Sequence, residues 1–157
     1  DPKNNTIITK QANTFSSQTS QIYYFMSGKV ADMGLVDLGY VPVKTYPENS
    51  VIVSEWQRKV PDEKSLVQTV KLVHMQQRPI FMEYKDKNKA AVRKVYYYGY
   101  KAFANLYFPS TTTEIIFNTK TDSVVTKTVY SDFKINEEAV SKYFDFKIPV
   151  DAKKATN

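Results

Sequence analysis

The chain has 157 residues, a formal net charge of +6, one His and no Cys. That length allows one domain with its own core, and a 42% share of hydrophobic residues excludes a disordered chain. Without Cys there is no thiol catalysis, Cys-based zinc site or disulfide scaffold. A single His leaves no His cluster for a metal.

Residues 1–8 and 151–157 read as flexible tails flanking one domain over 9–150. Residues 9–30 are polar, with Ala12, Phe15, Ile22, Phe25 and Met26 at loosely helical spacing. They predict a helix ending near Gly28 or Gly34. Val41–Tyr46 reads as a strand, Pro47-Glu48-Asn49-Ser50 as a turn, and Val51–Trp56 as the returning strand. Val60–Ser65 is a second turn signal. Leu66–Met75 suits either a strand or one helix face, and its β-branched residues favour the strand. Arg78-Pro79 is expected to break the chain before a short strand over Ile80–Tyr84.

Residues 88–107 predict a central helix. Val92, Val95, Tyr96, Gly99, Ala102, Phe103 and Leu106 recur at spacings of 3, 4 and 7, and Pro109 follows as a stop. The run Tyr96-Tyr97-Tyr98 dissents, because Tyr prefers strands. Glu114–Thr119 and Val124–Phe133 predict a hairpin. A short capped helix follows, with Asn136 as N-cap, Glu137 and Glu138 in its first turn, and Ile135 packing on Val140. Strands grouped between helices, without βαβ alternation, predict α+β: an antiparallel curved sheet packed with N-terminal and central helices. This layout resembles the helix-and-curved-sheet plan of cystatin-like and NTF2-like domains. The resemblance is one of element order, and no motif carries it.

The charge is local. Residues 58–108 hold eleven basic against four acidic residues, a balance of +7, while the flanks are close to neutral. On a helix over 88–107, Lys94, Tyr97, Tyr98 and Lys101 share the face opposite the apolar stripe. Arg78, Lys85, Lys87, Lys89 and Arg93 complete a candidate binding surface. Cations interleaved with tyrosines suit a protein partner, single-stranded nucleic acid or an anionic membrane surface. Lysine stems covering apolar surface give the same pattern without a ligand.

Other chemistry is thin. His74 has no nucleophile motif beside it. Ser27-Gly28-Lys29 lacks the remaining residues of a phosphate-binding loop. Glu137-Glu138 is explained by helix capping, and Asp32, Asp37 and Asp122 by turns. Trp56 is expected in the core. No catalytic residue, metal or cofactor is expected, and a hydrolase has no nucleophile–base pair to draw on. The reading is a non-enzymatic interaction or assembly module working outside the cytoplasm, in an envelope, secretion or virion complex. Its partners are proteins, with self-association as one form, and nucleic acid binding by the same segment is the alternative. The start at Asp1-Pro2-Lys3 fits a chain whose signal or membrane anchor lies upstream.

Overall fold

The computed structural model describes residues 6–7, 18–103, 106–119, 121–134 and 147–154. The chain divides into two compact units, one of residues 1–20 and 132–157, the other of residues 21–131. In the first, β1 (Thr6–Ile7) pairs in parallel with β9 (Lys153–Lys154). The second holds a seven-stranded antiparallel meander in sequence order: β2 (Tyr40–Glu48), β3 (Val51–Arg58), β4 (Thr69–Met75), β5 (Arg78–Lys85), β6 (Ala91–Phe103), β7 (Leu106–Phe117) and β8 (Ser123–Val129). Among the described residues, one α-helix, α1 (Gln18–Met26), precedes the sheet.

This overturns the expected α+β layout with a central helix. The segment predicted as helix 88–107 is instead the long strand β6, the turn after it and the start of β7. Its apolar residues fit both periods, so the spacing of 3, 4 and 7 did not discriminate. Tyr96, Tyr97 and Tyr98 and the β-branched Val92 and Val95 decide for strand, where their side chains stand clear of the backbone. Pro109 does not stop a helix; it lies inside β7 opposite Tyr100, where β8 has already ended opposite Thr111. Nor does Arg78-Pro79 break the chain, since both residues open β5, a position that tolerates a missing N–H. Within the described part of 9–30 the N-terminal helix runs over Gln18–Met26 and the chain turns out of it at Gly28, whose φ is 71°, the first of the two expected ends; residues 9–17 lie outside the described residues. The capped helix around Asn136 lies outside the described residues. The ambiguous run Leu66–Met75 resolves as strand β4 from Thr69 onward.

Cross-strand partners share a face, so the register sorts the meander into two sides. One side carries Trp56, Val70, Leu72, Met82, Tyr84, Arg93, Val95, Tyr97 and Thr112, all buried. Burying a side chain the size of Leu72 or Met82 contributes about 1.5–3 kcal/mol. Phe25 of α1 lies on this side, its ring 5.3 Å from Tyr97 and 5.6 Å from Phe108, both edge to face. Trp56 is in the core as expected, its Nε1 donating to Ser54 Oγ at 2.8 Å.

The opposite side is largely half-exposed, Val53 and Val73 being buried exceptions. Its register sets Lys44 beside Glu55, Glu55 beside Lys71, Lys71 beside Glu83 and Glu83 beside Lys94. This row alternates in sign across five strands, the order that avoids like charges at opposed positions.

Candidate functional site

Once 91–103 is a strand, the sequence-predicted surface separates. Successive side chains alternate between faces, so Lys94 and Tyr98 lie on one side and Arg93 and Tyr97 on the other. Tyr97 is buried beneath Phe25, and its hydroxyl donates to Met82 Sδ at 3.5 Å. Arg93 is buried with Nε against Glu114 Oε1 and its guanidinium 5.1 Å from the centre of the Tyr84 ring. Burial pushes the Tyr84 hydroxyl up to about 12 and the Tyr97 hydroxyl well above its ordinary value. Both residues belong to the fold.

On the half-exposed face, Lys85 and Lys94 converge on Glu83, at 3.0 Å and 3.4 Å. Lys87 and Lys89 are exposed on the β5–β6 turn, where Asp86 Oδ1 accepts from the amides of Asn88 and Ala90. Tyr98 is exposed, its hydroxyl 2.8 Å from that of Thr113, and Lys101 is exposed near the far end of β6. The basic segment therefore does not form one surface.

Arg78 is the predicted site residue that the fold places in a groove. A cavity of about 500 Å³ is lined by Phe25, Val30, Gln77, Arg78, Tyr100 and Tyr107 among others. The Arg78 guanidinium lies 3.9 Å from the centre of the Tyr107 ring and 5.9 Å from that of Tyr100. Among the described residues no carboxylate pairs with it. Tyr100 donates its hydroxyl hydrogen to the Pro79 carbonyl. Burial raises its pKa far above the ordinary tyrosine value, against the opposing Arg78 cation, so it stays a donor at neutral pH.

Local structure explains the placement. The β4–β5 connection has two residues, and Gln76 and Gln77 both take left-handed φ angles, 50° and 64°. That is the turn geometry that matches strand twist, usually supplied by Asn-Gly. With two glutamines it costs about 1–2 kcal/mol per residue. It fixes Arg78 opposite Met75 and points the strand start into the groove. The other wall follows α1: His74 Nε2 donates to the Val30 carbonyl at 2.8 Å, tying the segment after the helix to β4. His74 is therefore a structural tether, and the bond requires its proton on Nε2.

Sequence reasoning missed Phe25, Tyr100, Tyr107 and the two glutamines as groove residues. Reading Gln76-Gln77 as a two-residue hairpin turn was the available signal, since the β-branched run Val67–Val73 precedes it and the strand-favouring Ile80, Phe81 and Tyr84 follow. Among the described residues, no three His, Asp or Glu side chains gather as a metal-holding group.

No family model matches the sequence, and no curated protein matches it. Solved structures do. The chain is similar to an outer membrane lipoprotein-sorting protein domain from Vibrio parahaemolyticus, with a TM-score of 0.48 and 16% identity over 66% of this chain and 44% of that one. It is also similar to a LolA superfamily protein from Nitrosomonas europaea, with a TM-score of 0.44 and 16% identity over 68% of this chain and 50% of that one. The chain thus spans half or less of the length of these solved chains.

Proposed function

We propose that this chain is a non-enzymatic interaction domain of an extracytoplasmic assembly, in a cell envelope or secretion complex, and that it holds a protein partner at the Arg78 groove. The observation that carries the reading is a cation with no acidic partner among the described residues, held 3.9 Å from the centre of the Tyr107 ring in the lining of an aromatic cavity. An arginine on a tyrosine is held in place yet keeps its in-plane N–H donors for a carboxylate. Phe25, Val30 and Leu106 offer apolar lining beside it. The matching ligand is a peptide segment with an acidic side chain or a chain-terminal carboxylate next to an apolar one.

The test is capture of partners from an envelope extract by the immobilised chain. Arg78→Glu is expected to lose a partner that wild type and Lys94→Glu both retain. An unchanged set of captured proteins sinks the groove as the site. Binding of single-stranded DNA that weakens with salt at a log–log slope of about −0.7 per phosphate would instead restore the nucleic acid reading.

A further inference from the structure

The two outer strands of the meander are built differently. β2 carries Pro42 and Pro47 and an irregularity between Pro42 and Lys44. Prolines and bulges are the devices that stop an edge strand from pairing with another chain. β8, Ser123-Val124-Val125-Thr126-Lys127-Thr128-Val129, has neither. Five of its residues are β-branched Val or Thr, Lys127 is its one charge, and Val124, Val125 and Val129 are 51%, 61% and 65% exposed. We propose that the outer edge of β8, which pairs with no further strand among the described residues, pairs antiparallel with β8 of a second copy, forming a two-fold dimer with a continuous sheet.

The backbone fixes which groups are available. The Tyr130 amide donates to the Ser110 carbonyl, so even-numbered residues of this strand turn their polar groups toward β7. Ser123, Val125, Lys127 and Val129 then turn theirs outward. A two-fold axis normal to the sheet places each residue opposite one on the same face, which leaves three central residues to consider. An axis through Lys127 opposes two ammonium groups. One through Val125 leaves Thr128 and Val129 unpaired. One through Thr126 pairs the whole strand: Ser123 with Val129, Val124 with Thr128, and Val125 with Lys127. In that register the outward residues oppose one another and exchange N–H and C=O bonds. The lysine stem lies on valine, and its ammonium stays at the rim. The pairing is isologous and closes at two copies. Joining β8 to β2 would build open fibres, and the prolines of β2 block it.

Sedimentation velocity of the whole chain tests this. Wild type is expected to pass from monomer to dimer between micromolar and millimolar concentration. Val125→Lys sets an ammonium opposite Lys127 twice over and is expected to weaken the dimer about tenfold or more. Adding Lys127→Glu to Val125→Lys makes both pairs opposite in sign and is expected to restore it. Thr45→Lys on β2 should leave association unchanged. A wild type that stays monomeric through the millimolar range overturns the proposal, and so does a double variant that remains as weak as Val125→Lys. Hydrogen exchange on wild type reads the same register without mutation. Amides of Val125, Lys127 and Val129 should gain protection with concentration, while those of Val124, Thr126 and Thr128 are protected throughout. Concentration-independent exchange at all six positions refutes the edge pairing.

Discussion

Arg93 and Arg78 both lie over tyrosine rings, yet they do opposite work. Arg93 sits in the buried side of the sheet with Glu114 against it and Tyr84 beneath it. Its charge is used up inside the fold. Arg78 lies at the rim of a groove on Tyr107, with no acidic partner among the described residues. Its charge is available to a ligand. A stacked arginine therefore reveals little by itself; what distinguishes structure from site is whether the charge has already been answered.

The largest expected effect falls on Arg93. Arg93→Met leaves the Glu114 carboxylate in the interior with its ion-pair partner removed. Breaking a buried ion pair from one side costs about 3–5 kcal/mol. Arg93→Met combined with Glu114→Leu is expected to recover most of that loss, because apolar groups of similar size then fill the space. Arg78→Met should cost less than about 1 kcal/mol, a stacked surface cation's worth. Urea denaturation of the four proteins including wild type measures this. Equal losses for the two arginines would break the comparison and make Arg78 a structural residue.

The same distinction shows what the sequence made legible. The hairpin of β2 and β3 was readable, because Val51-Ile52-Val53 follows a Pro-Glu-Asn-Ser turn signal and Asn49 supplies the left-handed φ of 53°. Trp56 in the core was readable from strand alternation. The centre was not. Val92, Val95, Gly99 and Phe103 satisfy a helix repeat by coincidence, and the strand preference of three tyrosines stands against the helix preference of Ala90, Ala91, Ala102 and Ala104. Taking period 3.6 for period 2 then misplaced Arg93 and Tyr97, since strand alternation sends both inward and Lys94 and Tyr98 outward. Arg78 survived because its position depends on a turn rather than on that period. Tyr100 and Tyr107 join it only through the pairing of β6 with β7, a long-range fact that local composition does not encode.

A smaller effect separates the two faces by pH. Glu83 is half-buried on the exposed side; burial pushes its pKa up, but Lys85 and then Lys94 outweigh that and hold it below the ordinary carboxylate value. A carboxylate with a depressed folded-state pKa adds stability above its unfolded value, and loses it as pH falls through the folded one. Wild type should therefore lose stability on acidification below the usual carboxylate range. Glu83→Gln should flatten that part of the curve, by under about 1 kcal/mol because the lysines are partly in solvent. Denaturation midpoints collected from neutral to acid pH measure the difference. A parallel pair of curves would mean that the alternating row of charges adds nothing to the fold.

The smallest effect belongs to Tyr98, and it isolates the alternation of β6. Its hydroxyl and that of Thr113 are 2.8 Å apart on the exposed face, where water competes for both. Tyr98→Phe is expected to change stability by no more than about 0.5 kcal/mol, within the range of surface substitutions. Tyr98→Ala leaves no sealed cavity, because the ring already meets solvent, and should cost about 1 kcal/mol in lost cross-strand packing. Its neighbour gives the contrast: Tyr97→Ala empties the space beneath Phe25 and should cost about 3–5 kcal/mol. On a helix the two positions would be about 100° apart and could share one partly buried face. On β6 they oppose each other, so the ratio of the two alanine costs reads the strand directly in thermal melts. A ratio near one would return residues 91–103 to the helix that their spacing first suggested.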